Sequence, residues 1–135
     1  FYVDISGFKL FLLDCGLLGA MSETPPEKLL VAENGMEESK GAFTENYVMS
    51  QLVATRDTSV FYYSNDAKLE IDFLIQHGGE IVPIEAKAEE NLRAKSLSTF
   101  VASRPGMHGL RFSMSDYREQ DWMTNVPLYA ISTYF

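Results

Sequence analysis

Apolar positions along the 135-residue chain fall into helical spacing in its first half and alternate in much of its second. Residues 8–13 (FKLFLL) read as a short buried strand or the end of a preceding element, and Asp14-Cys15-Gly16 as a turn. Leu17 to Met21 reads as a short helix. Ser22-Glu23-Thr24-Pro25-Pro26 is a helix-start signal, a hydroxyl cap followed by proline near the first helical position. It predicts a short helix through Leu29 to Ala32, broken at Asn34-Gly35. From Met36 a longer helix is predicted to about Thr55, with Glu37 and Glu38 in its first turn, where the helix dipole favours acids. Phe43, Tyr47 and Ala54 share one side of it, and Glu45, Met49 and Leu52 another. Apolar around most of its circumference, this helix is expected to be largely buried, with Glu45 in or beside packed surroundings.

The period then changes to two. Val60 to Tyr63 reads as a strand and Ser64-Asn65-Asp66-Ala67 as a turn. Leu69 to Gln76 and Glu80 to Ala86 are predicted strands joined by Gly78-Gly79, a two-residue hairpin signal. A helix is predicted over 93–103, stopped by Pro105-Gly106, and strands over Leu110 to Met114 and Leu128 to Ile131. The polar linker 115–127 reads as irregular. Helix, three strands, helix, strand and a late strand suggest an α/β domain with a mixed sheet covered by helices. Residues 1–35 form a lead-in segment with short helices and 36–135 the domain proper. Phe1 without a preceding Met is expected of a fragment of a longer protein.

Hydrophobic residues make up 46% of the chain and aromatics 13%, enough for one packed core and too much for disorder. No apolar run approaches membrane-spanning length, and no signal peptide is evident. Cys15 is the single cysteine, which excludes an internal disulfide and makes a reducing cytoplasm the expected compartment. The net charge of −8 argues against an ordinary basic nucleic-acid-binding module. Its distribution is uneven: 7 acids and 3 bases in residues 1–40, 9 and 3 in 41–90, but 3 and 5 in 91–135. Carboxylates gathered around divalent cations would be partly neutralised when loaded, although solvated acidic faces are the commoner explanation of such charge.

The hairpin carries the candidate chemistry. Alternation puts Leu69, Ile71, Phe73 and Ile75 on one face of its first strand, and Glu70, Asp72, Leu74 and Gln76 on the other. In the second strand Val82, Ile84 and Ala86 oppose Ile81, Pro83, Glu85 and Lys87. If the apolar faces share a side of the sheet, Asp72, Glu85 and Lys87 converge on the opposite side, within reach of Glu45. Two carboxylates beside a lysine suit a hard cation such as Mg²⁺, with the Ala86 carbonyl as a plausible further ligand. A lysine there can orient or deprotonate an attacking water or stabilise charge on a phosphate. A Glu-x-Lys pair at a strand end is more often an ordinary surface pair.

The series Glu45-Asn46, Tyr62-Tyr63, Glu70-Ile71-Asp72-Phe73, Pro83-Ile84-Glu85-Ala86-Lys87 and Lys95-Ser96-Leu97…Phe100 resembles the C-terminal domain of a large group of prokaryotic AAA+ ATPases. That domain, long labelled as of unknown function, belongs to the PD-(D/E)XK nuclease-like superfamily. Phe8-Lys9-Leu10 with Leu13-Asp14-Cys15-Gly16-Leu17-Leu18 resembles the segment leading into it, and Val126-Pro127-Leu128-Tyr129-Ala130 fits its end. The resemblance implies a restriction-endonuclease-like core, with Asp72 and Glu85 as metal ligands, Lys87 as the catalytic lysine and Glu45 as the supporting acid. It also implies phosphate contacts at Lys95 and Ser96. The chain has Ile71-Asp72 where Pro-Asp is common and Ala86 where Val is usual. It has no GxxxxGK[ST] loop, so the fragment by itself is not expected to bind ATP.

Other candidates are weaker. His77 and His108 lack partners at zinc-ligand spacing. Cys15 reads as a small packed hydrophobe. Ser113 and Ser115 lack the signature of an activated nucleophile. Trp122 and Tyr62, Tyr63, Tyr117 and Tyr129 can stack on bases but more often pack in cores or at edges. Met107 and Met114 read as gap-fillers. Two function classes stay open: a Mg²⁺- or Mn²⁺-dependent DNA nuclease domain, and a catalytically silent module that regulates or docks the ATPase portion or mediates contacts between copies of the chain.

Overall fold

The computed structural model describes residues 7–25, 27, 37–55, 59–65, 69–88 and 94–135. The helix expected through Leu29 to Ala32 lies outside them. A short helix α1 (Cys15–Met21) is followed by a long helix α2 (Glu37–Thr55). Strands β1 (Phe61–Ser64), β2 (Glu70–His77) and β3 (Glu80–Lys87) form an antiparallel meander. Helix α3 (Lys95–Ala102) then crosses to β4 (Gly109–Ser113), which lies parallel to β3. The chain closes with β5 (Arg118–Glu119), β6 (Met123–Pro127), a 3₁₀ turn (Leu128–Ala130) and α4 (Ile131–Tyr134). The six strands form one mixed sheet in the order β1-β2-β3-β4-β6-β5, flanked by helices as expected.

Two apolar layers sandwich the sheet. On one side Val48 and Leu52 of α2 and Ile131 of α4 pack on Phe73, Ile75, Ile84, Ala86, Leu110, Phe112 and Val126. On the other, Leu97, Phe100 and Val101 of α3 pack on Ile71, Leu74 and Met123. The buried stripe of α2 is narrower than its composition suggests. Val48 and Leu52 are fully enclosed, whereas Ala54 and Val53 face outward.

Local chemistry explains most boundaries. Gly78 and Gly79 both adopt positive φ, 60° and 88°, the conformation a tight two-residue hairpin requires. Asp14 caps α1, its carboxylate accepting from the Leu17 amide at 2.7 Å. The helix therefore begins at Cys15, two residues before the expected start, and the residues read as a turn supply its cap and first turn. Residues 8–13 form no strand; Phe11 packs against Phe73, the rings tilted with centres 5.6 Å apart. Pro83 sits where β4 does not reach, since the β3–β4 pairing begins only at Ile84–Leu110, so its missing amide hydrogen costs the sheet nothing on that side.

Two expectations fail at the C-terminal end. The linker 115–127 contains β5 and β6, and the strand placed at Leu128 to Ile131 is instead the 3₁₀ turn running into α4. The apolar run LYAI offers one core side chain, Ile131, and leaves Tyr129 81% exposed. The polar run MTNVP is buried throughout because β6 lies between β4 and β5 with both faces covered. Its polar side chains are satisfied: Asn125 Oδ1 accepts from Arg111 Nε and Ser113 Oγ, both at 2.7 Å, and its Nδ2 donates to the carbonyls of Ser115 and Asp116. Thr124 meets His108 at 2.9 Å.

Asn125→Ala should therefore cost about 2–4 kcal/mol of unfolding free energy, because one change orphans a buried guanidinium N–H, a hydroxyl and two carbonyls. Urea unfolding checks this; a loss under 1 kcal/mol would show that the network is dispensable.

Candidate functional site

The hairpin is regular from its Gly-Gly turn down to the Phe73–Ile84 pair. One residue further come Asp72 and Glu85, and there the regularity stops. Between Leu74 and Ile71 strand β2 advances three residues while β1, opposite, advances two from Phe61 to Tyr63. This is a β-bulge, a device that re-aims side chains and is common beside functional sites. It has two consequences. Ile71 packs in the α3 layer with Leu74, not in the α2 layer with Phe73 and Ile75, which corrects the expectation that these alternate residues share one apolar face. The Asp72 carboxylate also reaches across to the backbone of β3, where Oδ2 accepts the Ala86 amide at 2.8 Å.

Around this bond the charges divide into two groups. In the acid group, Glu45 of α2 and Glu70 of β2 share Lys9 of the N-terminal segment, whose Nζ lies 3.5 Å from Glu45 Oε2 and 2.7 Å from Glu70 Oε1. In the other group, Glu85 Oε1 meets Lys87 Nζ at 3.3 Å and feels the charge of Arg111. Glu85 Oε2 is buried without a hydrogen-bond partner, as are both Nη atoms of Arg111, a side chain 0% exposed.

Burial pushes the Asp72 carboxyl up to about 6. The Ala86 amide opposes that shift, the charge of Glu45 adds to it, Lys9 relieves it, and Glu85 adds a smaller push. Burial also raises Glu85, against the pull of Lys87 and Arg111. For Lys9, burial favours the neutral amine, but the hydrogen bond to Glu70 and the fields of Glu45, Glu70 and Asp72 outweigh it and raise its pKa. Arg111 is lowered by burial and by Arg118, with Glu85 opposing.

The hairpin thus brings the Asp72 carboxylate to the backbone of Ala86, between Glu85 and Lys87, with Glu45 coupled to Asp72 through its field, while Glu85 and Lys87 leave β3 on the face opposite Ile84 and Ala86, which pack in the α2 layer. Lys95 and Ser96 occupy the first turn of α3, with Lys95 exposed. Lys9, Glu70, Arg111 and Asn125 join these residues without a chemical role assigned to them by the sequence pattern. A charged residue inside an otherwise apolar run, as in FKLFLL and LRFSM, is the signal that could have found the two cations.

The remaining candidates have structural partners. Cys15 donates to the Phe43 carbonyl at 3.5 Å, its thiol raised by burial. His77 packs edge-on to Phe135. Tyr63 packs edge-on to Phe100, and Trp122 and Met107 line the α3 layer. Met114 is exposed, not a filler. With Phe43, Tyr47, Leu128 and Tyr129 it lines a groove of about 510 Å³ at the carboxyl ends of β4 and β6.

Among the described residues no three Asp, Glu, His or Cys side chains gather closely enough to cage a metal by themselves. A hard cation does not need that; Mg²⁺ commonly takes one or two carboxylates and completes its shell with water. The partnerless Glu85 Oε2 and the Asp72 oxygen not used by Ala86 suit such a set. No helix among the described residues is long and apolar enough to cross a membrane.

A family model described as a domain of unknown function, DUF4143, matches residues 40–131. No curated protein and no solved structure matches the chain.

Asp72 gives a pH test. Its folded pKa of about 6 lies above the ordinary 3.8, so the native state holds the proton more tightly and stability from this group falls as pH rises from about 4 to about 6, by roughly 2–3 kcal/mol. In the presence of a chelator, Asp72→Asn should gain about 2 kcal/mol over wild type between pH 4 and pH 7 by urea unfolding. A pH-independent difference would mean that Asp72 titrates normally.

Proposed function

The chain belongs to the DUF4143 family of domains of unknown function, and from that premise we propose that it is a nuclease-like domain for divalent-metal-dependent hydrolysis of DNA phosphodiesters, attached to the ATPase portion of a longer AAA+ protein. The observation that carries this reading is the bulged hairpin, in which the Asp72 carboxylate is bonded to the backbone one residue from Glu85 and next to Lys87. The order helix, three-stranded meander, helix, parallel strand supports the restriction-endonuclease-like core that the sequence resemblance implies.

Asp72, Glu85 and the Ala86 carbonyl would hold Mg²⁺ or Mn²⁺, which when bound supplies Lewis-acid polarisation of a phosphate oxygen and an activated water. Lys87 is 41% exposed at its side chain while its Nζ rests 3.3 Å from Glu85 Oε1, so the open side of the ammonium can face a substrate. Its role is to orient the attacking water or to stabilise charge developing on the phosphate. Glu45 supports Asp72 from α2, and Lys95 and Ser96 contact the DNA backbone from the first turn of α3.

A second reading has its own observation. Glu85 already has Lys87 against one oxygen and the charge of Arg111 nearby, an arrangement that balances its charge without a metal. It describes a silent module that docks or regulates the ATPase portion. Mn²⁺ soaked into crystals separates the two: an anomalous peak between Asp72 and Glu85 favours the nuclease, and none favours the module.

Incubated with Mg²⁺ or Mn²⁺ and duplex, single-stranded or branched DNA, the chain should cut at least one form. Glu85→Ala and Lys87→Ala should each slow cleavage by about 100-fold or more. Activity that survives both substitutions overturns the reading.

A further inference from the structure

We infer that Lys9 belongs to the centre as an internal cation, and that a divalent ion bound through Asp72 competes with its ammonium. The inference rests on the metal-site reading above and adds to it a residue from the segment before the domain's first long helix.

Lys9 is held where it is by its neighbours. Exposure alternates along the segment: Phe8 and Leu10 are 81% and 80% exposed, while Lys9 and Phe11 turn inward. Gly7 lies so close to β1 that an added Cβ would stand 2.9 Å from the Tyr62 hydroxyl. Phe11 packs against Phe73, and the Leu12 amide donates to Asn46 Oδ1 at 2.8 Å. Between these anchors the ammonium lies 5.6 Å from the centre of the Tyr62 ring, in contact with Glu45 and Glu70 and within the field of Asp72.

The acids around Lys9 outnumber it, so the region keeps a negative excess that attracts a second cation. The buried, partnerless Oε2 of Glu85 stands on the other side of the Asp72–Ala86 bond and gives that cation an independent reason to settle there. A divalent ion at Asp72 would then sit in the repulsive field of Lys9. Coupling is reciprocal: if Lys9 weakens metal binding, metal weakens the hold of the domain on segment 7–12.

The test uses the whole chain and Mn²⁺ as probe. Affinity is read by electron paramagnetic resonance, and hydrogen exchange is read at the Leu12 amide. Lys9→Met should bind Mn²⁺ on the order of tenfold more tightly than wild type, Lys9→Arg should stay near wild type, and saturating Mn²⁺ should speed exchange at Leu12 in wild type. Binding seen only in Lys9→Met supports the inference. If wild type binds, Asp72→Ala does not, and Lys9→Met is unchanged or weaker, the competition is refuted while the metal site stands. If neither wild type nor Lys9→Met binds, both fail. Should Lys9→Met not fold, the Leu12 amide in wild type decides, since unchanged protection at saturating Mn²⁺ overturns the inference.

Discussion

The bond from the Ala86 amide to the Asp72 carboxylate organises the centre of this domain. A regular β2–β3 ladder would continue below Phe73–Ile84 with backbone partners only. It ends there instead, beside the bulge in the β1–β2 pairing, and a side-chain oxygen takes the amide of β3. The same bulge turns Ile71 toward α3, so the sheet gains a core contact on that face at the point where it admits a buried acid on β2. An acid at this depth is unfavourable, as its raised pKa records. A local arrangement that lowers stability without serving the core is what functional sites look like in otherwise consistent folds.

Charge placement around that bond depends on elements far apart in sequence. Glu85 is flanked by Lys87 from its own strand and Arg111 from the neighbouring parallel strand, and Arg111 is fixed in turn by Asn125 of β6. Glu45 and Glu70 are bridged by Lys9, which arrives from before α2. Asn46, next to Glu45, receives the same incoming segment through the Leu12 amide. One turn of α2 therefore serves two purposes, presenting an acid to Asp72 and docking the chain that carries the opposing cation.

Where the sequence could be read, a local rule was sufficient. Two glycines in succession specify the hairpin, strict alternation specifies β3, and acids followed by a long apolar pattern specify α2. The failures share a different cause. MTNVP is a central strand whose Thr124 and Asn125 are buried because distant partners satisfy them, and no pattern in those five residues announces His108 or Arg111. LYAI is apolar but follows Pro127, which closes the strand, and it meets the core as a helical turn, with Ile131 buried, Leu128 and Ala130 at the core's edge and Tyr129 outward. Ile71 obeys alternation in the sequence and violates it in the fold because one bulge shifts the register. For the candidate site, the hairpin pattern singles out Asp72, Glu85 and Lys87, and the structure ties Asp72 to Ala86 and Lys87 to Glu85. Lys9 and Arg111 stand out only as charges inside apolar runs, and what they pair with depends on tertiary neighbours.

The net charge bears on how such a domain would meet DNA. The C-terminal segment is the one part richer in bases than acids, yet its bases are not all available to phosphates. Arg111 is fully enclosed, and Arg104 lies over the Phe100 ring at 3.7 Å while donating to the Phe100 carbonyl. Among the described bases of that segment, Lys95 and Arg118 are exposed. Two such cations, set against an acid group near Asp72, supply little of the phosphate neutralisation that drives sequence-independent binding. On the nuclease reading, most of the affinity for DNA has to come from something other than these two cations, and the chemistry would be gated by whatever brings DNA to the site.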